Sequence, residues 1–149
     1  MNKRINVGNK ELAIKFLKLI KENDYIPFDI RITNSHITEL NKVIGRKVFR
    51  KDALYISSRT LWEIMQPIGG KGKHNYHGLT PLDICNALAA IKKPNEIITS
   101  HSGRYLIITL ALYMDSVPIA IVIEPNGSLK GAKKSNVIRV VTIYPYSQK

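Results

Sequence analysis

The chain has 149 residues, 44% of them hydrophobic, with one cysteine and 23 Lys+Arg against 11 Asp+Glu, a formal net charge of +12. The hydrophobic share excludes a disordered chain, the lone Cys85 excludes an intrachain disulfide, and no apolar run reaches the roughly 18 residues of a membrane span. The positive charge runs from Lys3 to Lys149 and is not confined to a tail, so it favours a polyanionic partner over a mere solubilising role. Met1-Asn2-Lys3-Arg4 leads into no apolar signal segment, so the expected site of action is the cytoplasm, with no membrane partner.

In chain order, Asn9 can cap a first helix whose apolar positions are Leu12, Ile14, Phe16, Leu17 and Ile20. Lys15, Lys18 and Lys21 fall largely away from that stripe. Tyr25 to Ile30 is extended or loop, broken by Pro27. Asn34 or Ser35 offers the cap of a second helix through Ile37, Leu40, Val43 and Ile44, with Gly45 as its stop and His36 as a helix-start residue. After the basic cluster Arg46 to Lys51, Ala53 to Ser57 reads as a short strand and Arg59 to Met65 as a short helix. Gln66 to Leu79 is a glycine-rich cationic loop. Thr80-Pro81-Leu82-Asp83 then starts a helix, with a hydroxyl cap, a proline at the first position and an early carboxylate. That helix ends before Pro94, and Cys85 within it reads as a small buried hydrophobe.

From Glu96 the character changes to β-branched segments: Ile97 to Thr99, Tyr105 to Leu110, Pro118 to Ile123 and Val137 to Ile143. Turns at Ser102-Gly103 and Asp115-Ser116 predict an antiparallel meander, and Pro125 to Asn136 predicts a longer lysine-bearing connection. These strands are too apolar for a sheet with a wet face, so helices must cover one side. The expected fold class is α+β, N-terminal helices packed on a C-terminal four-stranded antiparallel β-meander. A single domain spans 1–149, with a helical N-terminal part, 1–50, of no assigned role.

No phosphate-binding GxxxxGK[ST] loop, dinucleotide GxGxxG, cysteine pair or carboxylate cluster is present, so neither cofactor nor metal is expected. Metal-independent cleavage of RNA by its own 2′-hydroxyl needs a base, an acid and donors for the crowded phosphate. Histidine serves as acid or base near neutrality, Arg and Lys stabilise phosphoryl charge, and aromatics stack on unpaired bases. Three segments hold that inventory. The loop has Lys71, Lys73, His74, Tyr76 and His77; the first hairpin has Ser100, His101 and Arg104; the last strand has Arg139, Thr142, Tyr144 and Tyr146. By period two, Val140, Thr142 and Tyr144 share one face, and Arg139, Val141 and Ile143 the other.

Ala53-Leu54-Tyr55-Ile56-Ser57-Ser58-Arg59-Thr60-Leu61, the loop ending at His77, the helix closing in Lys93-Pro94-Asn95-Glu96-Ile97-Ile98, and the finish Thr142-Ile143-Tyr144-Pro145 form a pattern. Over residues 53 to 146 it resembles the phage- and toxin-associated nucleases of the barnase–EndoU–colicin–RelE-like superfamily. The resemblance implies a metal-independent endoribonuclease that leaves a cyclic phosphate. It implies His77 for acid/base work, Arg104 for phosphate, and Thr142 and Tyr144 from the final strand, with His101 and Lys73 as second choices. Lys71, Tyr76, Lys130, Lys133, Lys134 and Arg139 are the expected nucleic-acid contacts. Implied partners are RNA, tRNA among the candidates, and an acidic inhibitor or immunity protein, with delivery inside a larger toxin or phage protein. The alternative from the residues is a non-catalytic basic nucleic-acid-binding or phage structural module.

Overall fold

Four β-branched segments in the final third of the chain pair in sequence order and frame the site. The computed structural model describes residues 4–6, 29–33, 36–51, 53–66, 76–99, 103–128 and 135–146. The strands are β1 (Arg4–Asn6), β2 (Asp29–Thr33), β3 (Ala53–Ser57), β4 (Glu96–Thr99), β5 (Tyr105–Tyr113), β6 (Val117–Ser128) and β7 (Ser135–Pro145). The helices are α1 (Leu40–Ile44), α2 (Ser58–Met65) and α3 (Pro81–Ala89), with 3-10 turns at Ile37–Glu39 and Ala90–Lys92. The class is α+β, as the composition of the segments predicts.

The arrangement departs from that expected in three ways. Residues before Ala53 do not form only a helical layer: β1 pairs parallel with β2, and β2 pairs antiparallel with β3. The sheet is mixed and not purely antiparallel, because β3 runs parallel to β7; the order is β1-β2-β3-β7-β6-β5-β4. The meander β4 to β7 is present, extended by β3 into a five-stranded centre. Its last connection is shorter than expected, since β6 runs on to Ser128 and β7 begins at Ser135. The helix expected from Asn9 and the caps at Asn34 or Ser35 lie outside the described residues.

These differences have a physical cause. Asp29-Ile30-Arg31-Ile32-Thr33 alternates polar and apolar, the period of a strand. In β3, Leu54 and Ile56 join the main core while Ala53 and Tyr55 are buried with Val137 in a second cluster. A strand buried on both faces needs neighbours on both edges, and β2 and β7 supply them.

The inner face carries the main core. Ile107 of β5, Ile119, Ile121 and Ile123 of β6, and Ile138, Val140 and Ile143 of β7 meet Leu61, Ile64 and Met65 of α2 and Ile84, Ala87 and Leu88 of α3. Each of the Val, Leu, Ile and Met side chains taken fully from water contributes about 1.5–3 kcal/mol. Cys85 is buried there too. Ser57 caps α2 by accepting from the Thr60 amide at 3.2 Å. Thr80 and Asp83 form a reciprocal capping box at the start of α3, with Pro81 at its first position. His36 precedes the first 3-10 turn, its Nδ1 3.2 Å from Glu39 Oε2. Asn41 ties the basic segment to α1: its Oδ1 accepts from the Val48 and Phe49 amides, each at 2.9 Å, and its Nδ2 donates to the Phe49 carbonyl. No described helix is long and apolar enough to cross a membrane.

Candidate functional site

The decisive local feature is a bulge in β7. Val122 pairs with Thr142, but Ile123 pairs with Val140, so Val141 is an extra residue. The inserted residue resets the alternation. Val140 and Ile143, which strict period two puts on opposite faces, are both core residues, 1% and 0% exposed. Arg139, Thr142 and Tyr144 therefore share the outer face, correcting the grouping of Val140 with Thr142 and Tyr144. Successive outer positions on a strand stand ~6.5 Å apart, so the three line up along β7.

His77 reaches the far end of this line. Gly78 has φ +66, a left-handed conformation that lets the chain turn sharply after His77. Its amide donates to the Gln66 carbonyl at 2.7 Å, and the Leu79 amide donates to the Ile64 carbonyl at 3.0 Å. Leu79 is fully buried, so the residues before it are fastened to the C-terminal end of α2. β3 pairs with β7 at Ile138 and Arg139, and His77 meets β7 further along, at Tyr144. The His77 and Tyr144 rings lie 5.6 Å apart at 38°, and Tyr146 stands 6.4 Å from Tyr144.

Partial burial sets the protonation of this pair. Desolvation pushes the His77 pKa below its ordinary 6.5, because the half-buried site disfavours the charged imidazolium. Tyr144 is pushed above its ordinary 10.0, first by desolvation and then by the neighbouring Tyr146. At neutral pH the pair is an uncharged imidazole beside a protonated phenol. One can accept a proton and the other can donate a hydrogen bond. Between Tyr144 and Arg139, the buried Thr142 Oγ1 has no hydrogen-bond partner among the described residues, as is also true of Arg139 Nε.

A second constellation occupies the other end of the outer face. Arg104 Nε lies 3.2 Å from Glu124 Oε2, and Arg139 Nε lies 3.5 Å from Glu124 Oε1. The second contact is an ion pair without good hydrogen-bond geometry. Gly127 makes room for it: a Cβ there would stand 2.7 Å from Glu124 Oε1 and 2.8 Å from Arg139 Cβ. An open hollow alongside is lined by Gly103, Glu124, Pro125 and Asn126. Arg104 directly precedes Tyr105, which pairs with Ile123, whereas Tyr144 pairs with Ala120. Arg104 thus stands roughly 15 Å of backbone from Tyr144, two strands across and several residues along. His77, Tyr144, Thr142 and Arg139 form one line, and Arg104 meets it through Glu124.

Tyr76, an expected nucleic-acid contact, packs edge-on against Trp62 at 5.8 Å. His101, Lys71, Lys73, Lys130, Lys133 and Lys134 lie outside the described residues. The sequence reading missed Glu124, Gly127 and Trp62. Glu124 had a signal, a lone carboxylate ending an apolar strand before Pro125-Asn126-Gly127. Among the described residues no group of three or more His, Cys, Asp or Glu could hold a metal. No protein-family model, curated protein or solved structure matches the chain. A functional reading therefore stands on the chemistry of this face.

Proposed function

We propose that the chain is an endoribonuclease that cleaves RNA through its 2′-hydroxyl without a metal, using the line His77–Tyr144–Thr142–Arg139. The observation that carries this reading is the contact of a half-buried, neutral imidazole with a protonated phenol on the outer face of a +12 chain. His77 takes the 2′-hydroxyl proton as that oxygen bonds to phosphorus. The bond to the 5′ oxygen breaks, that oxygen takes a proton from the imidazolium, and a 2′,3′-cyclic phosphate remains. Tyr144 and Arg139 donate to the phosphoryl oxygens as their charge builds. Thr142 lies between them, its Oγ1 buried. In this proposal the phosphate role belongs to Arg139 more than to Arg104. The wider reading keeps the superfamily likeness: one nuclease-like domain acting in a cytoplasm, delivered in a toxin or phage protein and held in check by an acidic inhibitor.

The test is direct. RNA incubated with the purified chain in EDTA should give discrete fragments with cyclic phosphate ends, and His77→Ala should give none. The separation of Arg104 from His77 favours a second reading, a basic nucleic-acid-binding module without catalysis. Intact RNA of shifted mobility, released by salt, would select it.

A further inference from the structure

Aromatic side chains are placed in two different ways in this fold. Phe49 and Tyr105 pair with each other at 5.7 Å inside the core, 0% and 3% exposed. Trp62, Tyr76, His77, Tyr144 and Tyr146 are all only partly buried. They are also consecutive in space: Trp62 meets Tyr76, Tyr76 is bonded to His77, His77 meets Tyr144, and Tyr144 meets Tyr146. Three separate parts of the chain contribute to this row.

The row is held by its backbone. The Gln66 side chain donates to the Trp62 carbonyl at 2.9 Å, and its own carbonyl receives the Gly78 amide, bracketing Tyr76 and His77. Past the end of β7, the Tyr146 amide donates to the Pro118 carbonyl at 2.7 Å, so that ring too has a fixed origin. Fixed, partly exposed rings keep some of their π-faces and polar edges available at little entropic cost on binding. In a strongly cationic chain, the ligand that offers flat π-faces joined by negative charge is a nucleic acid whose bases are unpaired. A duplex hides those faces in its own stack.

We infer that the row Trp62–Tyr76–His77–Tyr144–Tyr146 is a stacking platform for the bases of a single-stranded RNA segment, so that unpaired RNA is the substrate class. This rests on the proposed ribonuclease reading for the identity of the polymer, but its test does not require cleavage. The probes are a 2′-O-methyl single-stranded oligonucleotide, which cannot be cut, and the same strand annealed to its complement. The single strand should bind at least tenfold more tightly than the duplex and quench the emission of Trp62, the chain's sole tryptophan. Tyr146→Ala and Tyr76→Ala should each weaken single-strand binding about tenfold, within the range of one lost stacked base, and leave duplex binding unchanged. Equal affinity for both probes, or tyrosine variants that bind the single strand like the parent, would overturn the inference. Cleavage could then still proceed at His77. Conversely, a chain that never cuts RNA yet shows the single-strand preference and the tyrosine effects would support the platform and sink the catalytic reading.

Discussion

The two ends of the sheet's outer face are built on opposite electrostatic plans. At one end, His77 and Tyr144 sit in partial burial, which favours the uncharged form of each. At the other, Glu124 lies between the guanidiniums of Arg104 and Arg139. Neutral groups with adjustable protons suit proton transfer. Permanent charges compensated by a carboxylate hold one another's side chains in place. Arg139 belongs to both plans, being paired with Glu124 and next along the outer face to Thr142. The bulge at Val141 makes that possible, since without it Arg139 would face the core.

Substitutions can separate the two ends. The largest expected effect is His77→Ala, which should lower RNA cleavage at least about 100-fold in a gel-based rate assay, with the circular dichroism spectrum retained. Tyr144→Phe should follow at about 10- to 100-fold, the ~1.5–3 kcal/mol of a hydrogen bond to a charged group. Gly127→Ala acts on the other end and on stability. The new methyl must displace Arg139 Cβ, so urea denaturation should show a loss of about 1–3 kcal/mol. Thr80→Ala removes one arm of the capping box on α3 and should cost about 1 kcal/mol in the same measurement. Arg104→Ala should change cleavage only a few-fold, much less than Arg139→Ala. Equal effects of the two would erase the distinction between the ends.

The lowered His77 pKa adds a pH dependence of stability with a definite sign. Below its ordinary 6.5 the unfolded chain binds a proton at His77 that the folded chain resists. Stability is therefore complete above that value and falls as the pH drops through the folded pKa. His77→Gln should flatten that arm in denaturation curves taken between neutral and mildly acidic pH. An unchanged arm would mean that another group carries it.

Much of the local structure was legible in the residues. Thr80-Pro81-Leu82-Asp83 announced its helix because a hydroxyl, a proline and a carboxylate at those positions satisfy the first amides without tertiary help. The four β-branched segments announced the meander because short turns separate the first three, and Gly45 ends α1 in the left-handed conformation expected of it. What failed was non-local. The strand Asp29–Thr33 carried its period-two signal, yet five residues beside Pro27 and an aromatic read equally as a loop. The parallel pairing of β3 with β7 joins residues more than eighty positions apart and leaves no local mark. At the candidate site the residue types were readable and their grouping was not, because one inserted residue at Val141 reverses the face of everything before it. Val140 and Val141 look alike in sequence, and only the register against Val122 and Ile123 tells which is extra.

The central claim is that RNA meets the chain at the His77–Tyr144 pair. Histidine ring resonances, followed by NMR across pH with and without a 2′-O-methyl RNA oligonucleotide, test it most directly. The account predicts that the signal missing from His77→Gln titrates below 6.5 and moves when the RNA is added, in both chemical shift and pKa. A His77 signal that ignores saturating RNA, while signals from other histidines respond, would contradict it.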